Sequence, residues 1–251
     1  MKKTTMLGLL LAAFLNSISQ TTAPLISVLP QPASIQKGTG NFVLKSSTAI
    51  EVSSTDADAR RVAGYLSQKI SVVTGYAMPV RTVAANSNTP GNIRLILLLD
   101  TSLGVEGYRL NVIPNSVTVT AGKPAGLFYG MQTLLQLFPK EIEGNRVVKN
   151  VSWTVPATTI NDRPRFGWRG LMFDVSRHFF TKQDVKDYID QMVRFKFNLL
   201  HLHLTDDEGW RIQIEGLPRL TEVGAWNVKK VGYFGNFTPP APNEPRDYGG
   251  F

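Results

Sequence analysis

The chain has 251 residues, 43% hydrophobic and 18% charged, enough apolar material for one large domain or two modest ones and too much for a disordered polymer. Its formal charge is +8, yet the basic residues are scattered, with no clustered stripe or nucleic-acid motif, which argues against a nucleic-acid partner and for a solvated, mildly basic surface. It contains no cysteine, which excludes disulfides and a lipidated cysteine behind a leader.

Residues 1–23 read as an export signal. Lys2 and Lys3 form a positive start, Met6 to Leu15 an apolar core, and Ser17-Ile18-Ser19 offers small residues for cleavage before Gln20. The apolar run is too short for the ~30 Å hydrocarbon core of a bilayer, so no membrane span is expected. The alternative is an ordinary buried N-terminal helix. The expectation is a soluble exported protein, periplasmic or extracellular.

From 24 to 155 the pattern is mixed α and β. A helix begins with Thr55 as N-cap, buries Val62, Leu66, Ile70 and Val73 at helical spacing, and ends at Gly75. Ile93 to Leu99 is an apolar run of strand length. Tyr108 to Val112 and Val117 to Thr120 make a strand pair with Asn115 in the turn. A second helix follows Lys123, with Pro124 in its first turn, a stripe of Leu127, Met131, Leu134, Leu135 and Phe138, and Pro139 as its stop. This α+β domain carries no compelling chemical motif.

Pro156, Pro164 and the polar pairs Thr158-Thr159 and Asn161-Asp162 break the regular pattern and place a domain boundary near 155. Beyond it, Gly170 to Val175 is a buried-type strand. Thr181 and Asp184 form a capping arrangement, with Phe180 and Val185 placed as a hydrophobic staple. Val185, Ile189, Met192 and Val193 make the inner face of that helix, and Asn198 to Leu204 is the next strand. Strand, helix, strand with short links is a βαβ unit, which implies parallel strands and a right-handed crossover. Pro239, Pro240, Pro242 and Pro245 then mark an irregular loop.

In parallel α/β folds, functional groups gather where strands end. Both strands here end in polar clusters, Asp174-Val175-Ser176-Arg177-His178 and His201 through Arg211. Arg177 can donate paired hydrogen bonds to sugar hydroxyls or a carboxylate, or it can form a structural ion pair with Asp174. Asp206 and Asp207 are adjacent and point different ways, so one can reach a cleft while the other holds the loop, or both can cap the loop. His201 and His203 share a strand face. With Asp206 they admit a metal-site reading, against a buried, hydrogen-bonded pair lining a barrel mouth. Trp210 is either a stacking platform for a pyranose ring or plain core.

In order and spacing these residues resemble the family-20 glycoside hydrolases, the β-N-acetylhexosaminidases. The matching stretches are Arg163 to Phe166, Trp168 to His178, Asn198 to Arg211, Leu220 to Trp226 and Tyr248 to Phe251. Gly126 to Leu134 resembles part of the family's N-terminal domain. The resemblance implies an α/β architecture: an N-terminal α+β domain (24–155) followed by the first βαβ portion of an incomplete (β/α)8 barrel (156–251). It also implies removal of terminal N-acetylglucosamine or N-acetylgalactosamine from β-linked glycans by a retaining, substrate-assisted route, with no metal and no cofactor. By position, Arg177 corresponds to the arginine that holds hydroxyls of the terminal sugar. Asp206 corresponds to an aspartate in the network around the acid/base glutamate, His203 supports that network, and Asp174 holds Arg177 in place.

The family's catalytic Asp–Glu pair belongs to a His-x-Gly-Gly-Asp-Glu motif on a later strand, which this sequence lacks. Asp207-Glu208 lies in the second-strand loop and is not that pair, so no catalytic residue is assigned. Eight strands typically need about 250 residues, far more than follow Pro156. The expectation is a truncated barrel that is inactive alone. The readings of a different class are a non-catalytic carbohydrate-binding or interaction protein, and a metal-dependent hydrolase. The preferred glycan and the oligomeric state are left open by the sequence.

Overall fold

The chain is seen in a computed structural model that describes residues 26–98, 101–228 and 241–251. The export signal, Leu99, Pro239 and Pro240 lie outside the described residues.

The first half consists of β1 (Ser34–Val43), β2 (Ile50–Val52), α1 (Ala57–Thr74), β3 (Val80–Thr82), β4 (Ile93–Leu97), β5 (Tyr108–Ile113), β6 (Ser116–Ala121), α2 (Pro124–Leu137) and β7 (Thr154–Asp162). The strands form one mixed seven-stranded sheet in the order β1-β7-β5-β6-β4-β2-β3. Neighbours among β3, β2, β4 and β6 run parallel, and β5, β7 and β1 add antiparallel pairs. The β5–β6 hairpin turns at Pro114-Asn115, which the sequence predicts from Asn115. Along β5, Tyr108, Leu110 and Val112 are buried and alternate with exposed Arg109, Asn111 and Ile113, so one face of the strand meets the core.

Helix α1 buries the predicted stripe Val62, Leu66, Ile70 and Val73. Its N-cap is Asp56 rather than Thr55. The Asp56 carboxylate accepts from the N–H groups of Asp58 and Ala59 at 2.8 and 2.9 Å. Such a cap contributes about 1 kcal/mol. Gly75 ends the helix with φ 74°, the left-handed conformation that a side chain disfavours. Helix α2 starts at Pro124 and buries Leu127, Met131, Leu134 and Leu135, with Phe138 beside it. Its glycines allow close approach to the sheet. A Cβ on Gly126 would lie 2.3 Å from the Gly107 carbonyl oxygen, and one on Gly130 would lie 2.4 Å from Val119.

One expectation is corrected here. The domain boundary placed near 155 lies farther on, because β7 continues to Asp162 between β1 and β5. Pro156 does not break the strand. It stands where β1 loses register between Lys37 and Asn41, an irregularity that tolerates a residue without an N–H donor.

The second half opens with β8 (Gly170–Asp174), α3 (Lys182–Arg194) and β9 (Leu199–His203), and β8 pairs with β9 in parallel. This is the predicted βαβ unit. Thr181 and Asp184 complete the capping box, each side chain bonding the other's main-chain N–H. Phe180 packs on Phe173 with ring centroids 4.8 Å apart, and Phe173 stacks on Tyr188. Short elements follow: β10 (Thr205–Asp206), β11 (Gly209–Trp210), α4 (Arg219–Glu222), β12 (Trp226–Val228) and β13 (Arg246–Tyr248).

Of the predicted inner face of α3, only Met192 is buried; Val185 and Val193 are partly covered and Ile189 is exposed. Met172 on β8 and Leu199 on β9 are also exposed. Among the described residues β8 and β9 pair with no other strand, so a strand pair of the kind normally covered on both faces is left partly open.

Polar contacts dock the halves. Helix α3 ends with the Phe197 N–H bonded to the Met192 carbonyl and the Lys196 N–H to that of Val193, a Schellman end. Lys196 takes the left-handed position, φ 63°, where glycine is usual. Its buried amino group reaches Asp162 at 2.9 Å and the Tyr108 hydroxyl at 2.8 Å. Arg169 adds a bond to Glu106 at 2.8 Å and lies over the Tyr129 ring.

Candidate functional site

The register of the parallel pair sets the site. Asp174 and His203, the last residues of β8 and β9, are direct partners, so the segments that follow both strands leave the sheet side by side. Asp174 closes a tight turn after β8, its Oδ1 accepting from the N–H groups of Ser176 and Arg177 at 2.9 and 3.1 Å. That turn directs the Arg177 side chain back across the strand ends.

Arg177 stands among acidic groups. Its Nη1 bonds Asp174 Oδ2 at 2.8 Å, its Nη2 lies 2.6 Å from Asp206 Oδ2, and its Nε lies 3.5 Å from Glu208. His203 Nε2 lies 2.8 Å from Asp206 Oδ2 and 3.0 Å from Arg177 Nη1. Arginine can only donate, so this ring nitrogen either accepts from Arg177 or donates its proton to Asp206, according to tautomer. All four residues assigned from the sequence, Arg177, Asp206, His203 and Asp174, are thus in one bonded cluster. The two readings of Arg177 are compatible: it pairs with Asp174 while its side chain keeps about a quarter of its surface exposed.

Burial pushes the Asp174 carboxyl up, but hydrogen bonds from Arg177 and Ser176 outweigh it and hold the group below the usual aspartate value. For Asp206, the Asp207 N–H and His203, with the Arg177 charge, do the same. Both are therefore carboxylates at neutral pH. They can accept hydroxyl protons in hydrogen bonds, but neither is poised to protonate a leaving group, which requires an acid with a raised pKa. The Arg177 guanidinium is held still more firmly in its charged form by Asp174. The assembly offers donors and acceptors side by side, the chemistry that holds vicinal hydroxyls.

The residues left open by the sequence separate cleanly. Asp207 is exposed in the β10–β11 turn, and its N–H bonds Asp206 Oδ1. His201 is also exposed, with its ring 6.2 Å from that of His203, so the two do not form the buried pair expected at a barrel mouth. Among the described residues no further strand lies beside β8 and β9 to enclose His201. Beside His203 and Asp206, the place a metal ion would take is held by the Arg177 guanidinium. Among the described residues no three His, Cys, Asp or Glu side chains group as metal ligands. Trp210 donates its Nε1–H to the Ile212 carbonyl at 2.6 Å and borders an open groove of about 770 Å³ with Leu217, Pro218 and Val223.

Sequence reasoning missed Glu208 as a neighbour of Arg177, and it missed Arg211. Arg211 is almost fully buried at 2% exposure. Its guanidinium bonds the main-chain carbonyls of Val175, Ser176, Ala225 and Gly249. The available signal was Gly209 two residues earlier. A Cβ there would stand 2.5 Å from the Arg211 guanidinium carbon.

Comparison with known proteins bears on both halves. The family model described as "Glycosyl hydrolase family 20, domain 2" matches residues 25–163, and "Glycosyl hydrolase family 20, catalytic domain" matches residues 166–246. The junction between the matches falls just beyond the end of β7. A beta-hexosaminidase of Porphyromonas gingivalis is 36% identical over 85% of this chain and 27% of its own length. A beta-N-acetylhexosaminidase of Cellulomonas fimi is 35% identical over 86% of this chain and 42% of its own. The solved N-acetyl-beta-hexosaminidase of Streptomyces plicatus, in complex with Thio-NAglucal, superposes with TM-score 0.76 at 40% identity, over 91% of this chain and 41% of that one. The chain thus spans roughly a quarter to two fifths of the length of these relatives. With a family match over each half and the same two-part architecture, the chain belongs to glycosyl hydrolase family 20.

Proposed function

We propose that this chain supplies the sugar-holding part of a β-N-acetylhexosaminidase site, acting on terminal N-acetylglucosamine or N-acetylgalactosamine of β-linked glycans. The observation that carries the reading is the bonded cluster of Asp174, Arg177, His203 and Asp206 at the paired ends of β8 and β9. Arg177 grips hydroxyls of the terminal sugar. Asp174 holds Arg177 from behind, and Asp206 with His203 forms the polar network beside it. The names of the relatives support the substrate class. The groups that break the bond in the resemblance, an Asp–Glu pair in a Gly-Gly-Asp-Glu motif, are not among these 251 residues. The chain by itself is a binder rather than a catalyst.

Saturation-transfer NMR of the purified chain with methyl N-acetyl-β-glucosaminide tests this. The expected result is saturable binding that disappears in Arg177→Ala. Equal signals from wild type and Arg177→Ala would overturn it. Elemental analysis checks the metal-hydrolase alternative, for which stoichiometric zinc or manganese is the required result.

We also propose that the protein is exported. Lys2, Lys3 and the apolar run from Met6 to Leu15 support that reading. Mass spectrometry of protein recovered from the producing cell would show the leader removed before Gln20, whereas an uncut leader would count against it.

A further inference from the structure

Arg211 carries a charge into the interior, where Asp174 and Glu208 act on it through space but, among the described residues, no carboxylate pairs with it directly. Its side chain makes four recorded hydrogen bonds, all to main-chain carbonyls: Nε to Val175 at 3.0 Å, Nη2 to Ser176 at 2.6 Å, and Nη1 to Ala225 and Gly249, each at 3.1 Å. A buried guanidinium is costly unless its donors are satisfied, and a packing role alone needs no charge.

The partners show what the arrangement does. The Val175 carbonyl and the Ser176 N–H belong to one peptide group, and the Ser176 carbonyl and the Arg177 N–H to the next. Arg211 takes the two carbonyls, while Asp174 Oδ1 takes the two N–H groups. Two consecutive peptide planes leading into Arg177 are therefore held on both edges. Ser176, buried between them, donates its hydroxyl to the Gly209 carbonyl at 2.8 Å. The other end of Arg211 ties this turn to Ala225 and Gly249, which flank β12 and β13. The Phe251 N–H bonds the Arg211 carbonyl at 2.7 Å. Each fixed peptide plane removes rotation about the bonds that aim the side chain beyond it.

We propose that Arg211 is a positioning residue: by gripping the carbonyls of Val175 and Ser176 it fixes the direction in which Arg177 meets the sugar. The proposal rests on the reading of Arg177 as the sugar-holding group. Its consequence is that sugar affinity depends on a side chain that touches no sugar and lies on the far side of the loop.

The test pairs residue-resolved hydrogen exchange with titration of methyl N-acetyl-β-glucosaminide on the whole chain. In Arg211→Met, exchange at the Ser176 and Arg177 amides should speed up at least about tenfold, and sugar affinity should fall by about tenfold or more. Amides of Leu110 and Val119 in the N-terminal sheet should keep their rates. Arg211→Lys, which restores part of the bonding, should fall between. Gly209→Ala keeps the arginine but places a methyl group against its guanidinium carbon, and should give the same paired changes if Arg211→Met does not fold. Wild-type exchange rates in the variants would overturn the proposal. So would faster exchange with unchanged sugar affinity, because the grip would then have no bearing on aim. A wild-type chain that takes no sugar defeats the reading of Arg177 itself, and the exchange arm still decides whether Arg211 holds the loop.

Discussion

Lys196 and Asp162 form a buried pair across the junction of the two halves, with Nζ 2.9 Å from Oδ2 and side chains 8% and 14% exposed. Lys196 is also the residue in the left-handed position at the end of α3. The conformation that ends the helix therefore delivers the amino group to the last residue of β7. Removing one partner of such a pair leaves a buried charge alone, at a cost of about 3 kcal/mol. Asp162→Ala should lower the unfolding free energy by that order in urea titration. Asp162→Leu combined with Lys196→Met should recover most of the loss. An Asp162→Ala chain as stable as wild type would count against the pair as the link between the halves.

Acid should loosen the Arg177 cluster before it affects the sheet. Asp174 and Asp206 both have folded-state pKa values below their ordinary 3.8. Below that value the unfolded chain binds more protons than the folded one, so stability falls with pH. The contribution is complete above about pH 3.8 and is lost as pH drops through the depressed folded values. The side-chain carboxyl NMR signals of Asp174 and Asp206 should change in that window, ahead of far-ultraviolet dichroism. Asp174→Asn should flatten this acid limb, and an unaltered limb would exclude the carboxylate as its source.

The isolated chain should not hydrolyse an aryl N-acetyl-β-glucosaminide above the uncatalysed blank. Asp174 and Asp206 are ionised at neutral pH and cannot serve as the general acid, and the sequence carries no Gly-Gly-Asp-Glu motif. Turnover near that of an ordinary family member would defeat this expectation.

Self-association is expected through the second half. Trp168 and Phe166 are 75% and 72% exposed, and Met172 and Leu199 add to the open face of β8 and β9. An apolar strand pair with unpaired edges seeks cover. Sedimentation velocity should show a concentration-dependent species that diminishes in Leu199→Glu. A chain that stays monomeric at every concentration would refute it.

Much of this was legible in the residues because the signals are local. The stripe Val62 to Val73, the Pro124 start of α2, the Thr181–Asp184 cap and the turn at Asn115 each depend on neighbours a few positions apart. The polar runs after β8 and β9 likewise marked where a parallel fold gathers its chemistry. Pro156 misled for a different reason. As a local signal it reads as a break, while its partner across the sheet lies in β1, more than a hundred residues earlier.

The sequence by itself determined the family resemblance and the βαβ unit, and it singled out Arg177, Asp206, His203 and Asp174 as candidates, which the fold brings into one bonded cluster. Only the tertiary structure decided that Asp174 and His203 are register partners, that Asp206 and not Asp207 turns inward, and that His201 stays outside the cluster. It also revealed Arg211, whose carbonyl partners at Val175, Ser176, Ala225 and Gly249 come from three separate segments. Main-chain carbonyls are the same at every position, so no residue pattern can announce which of them an arginine will grip. That choice is made when the chain folds and brings them within hydrogen-bonding distance.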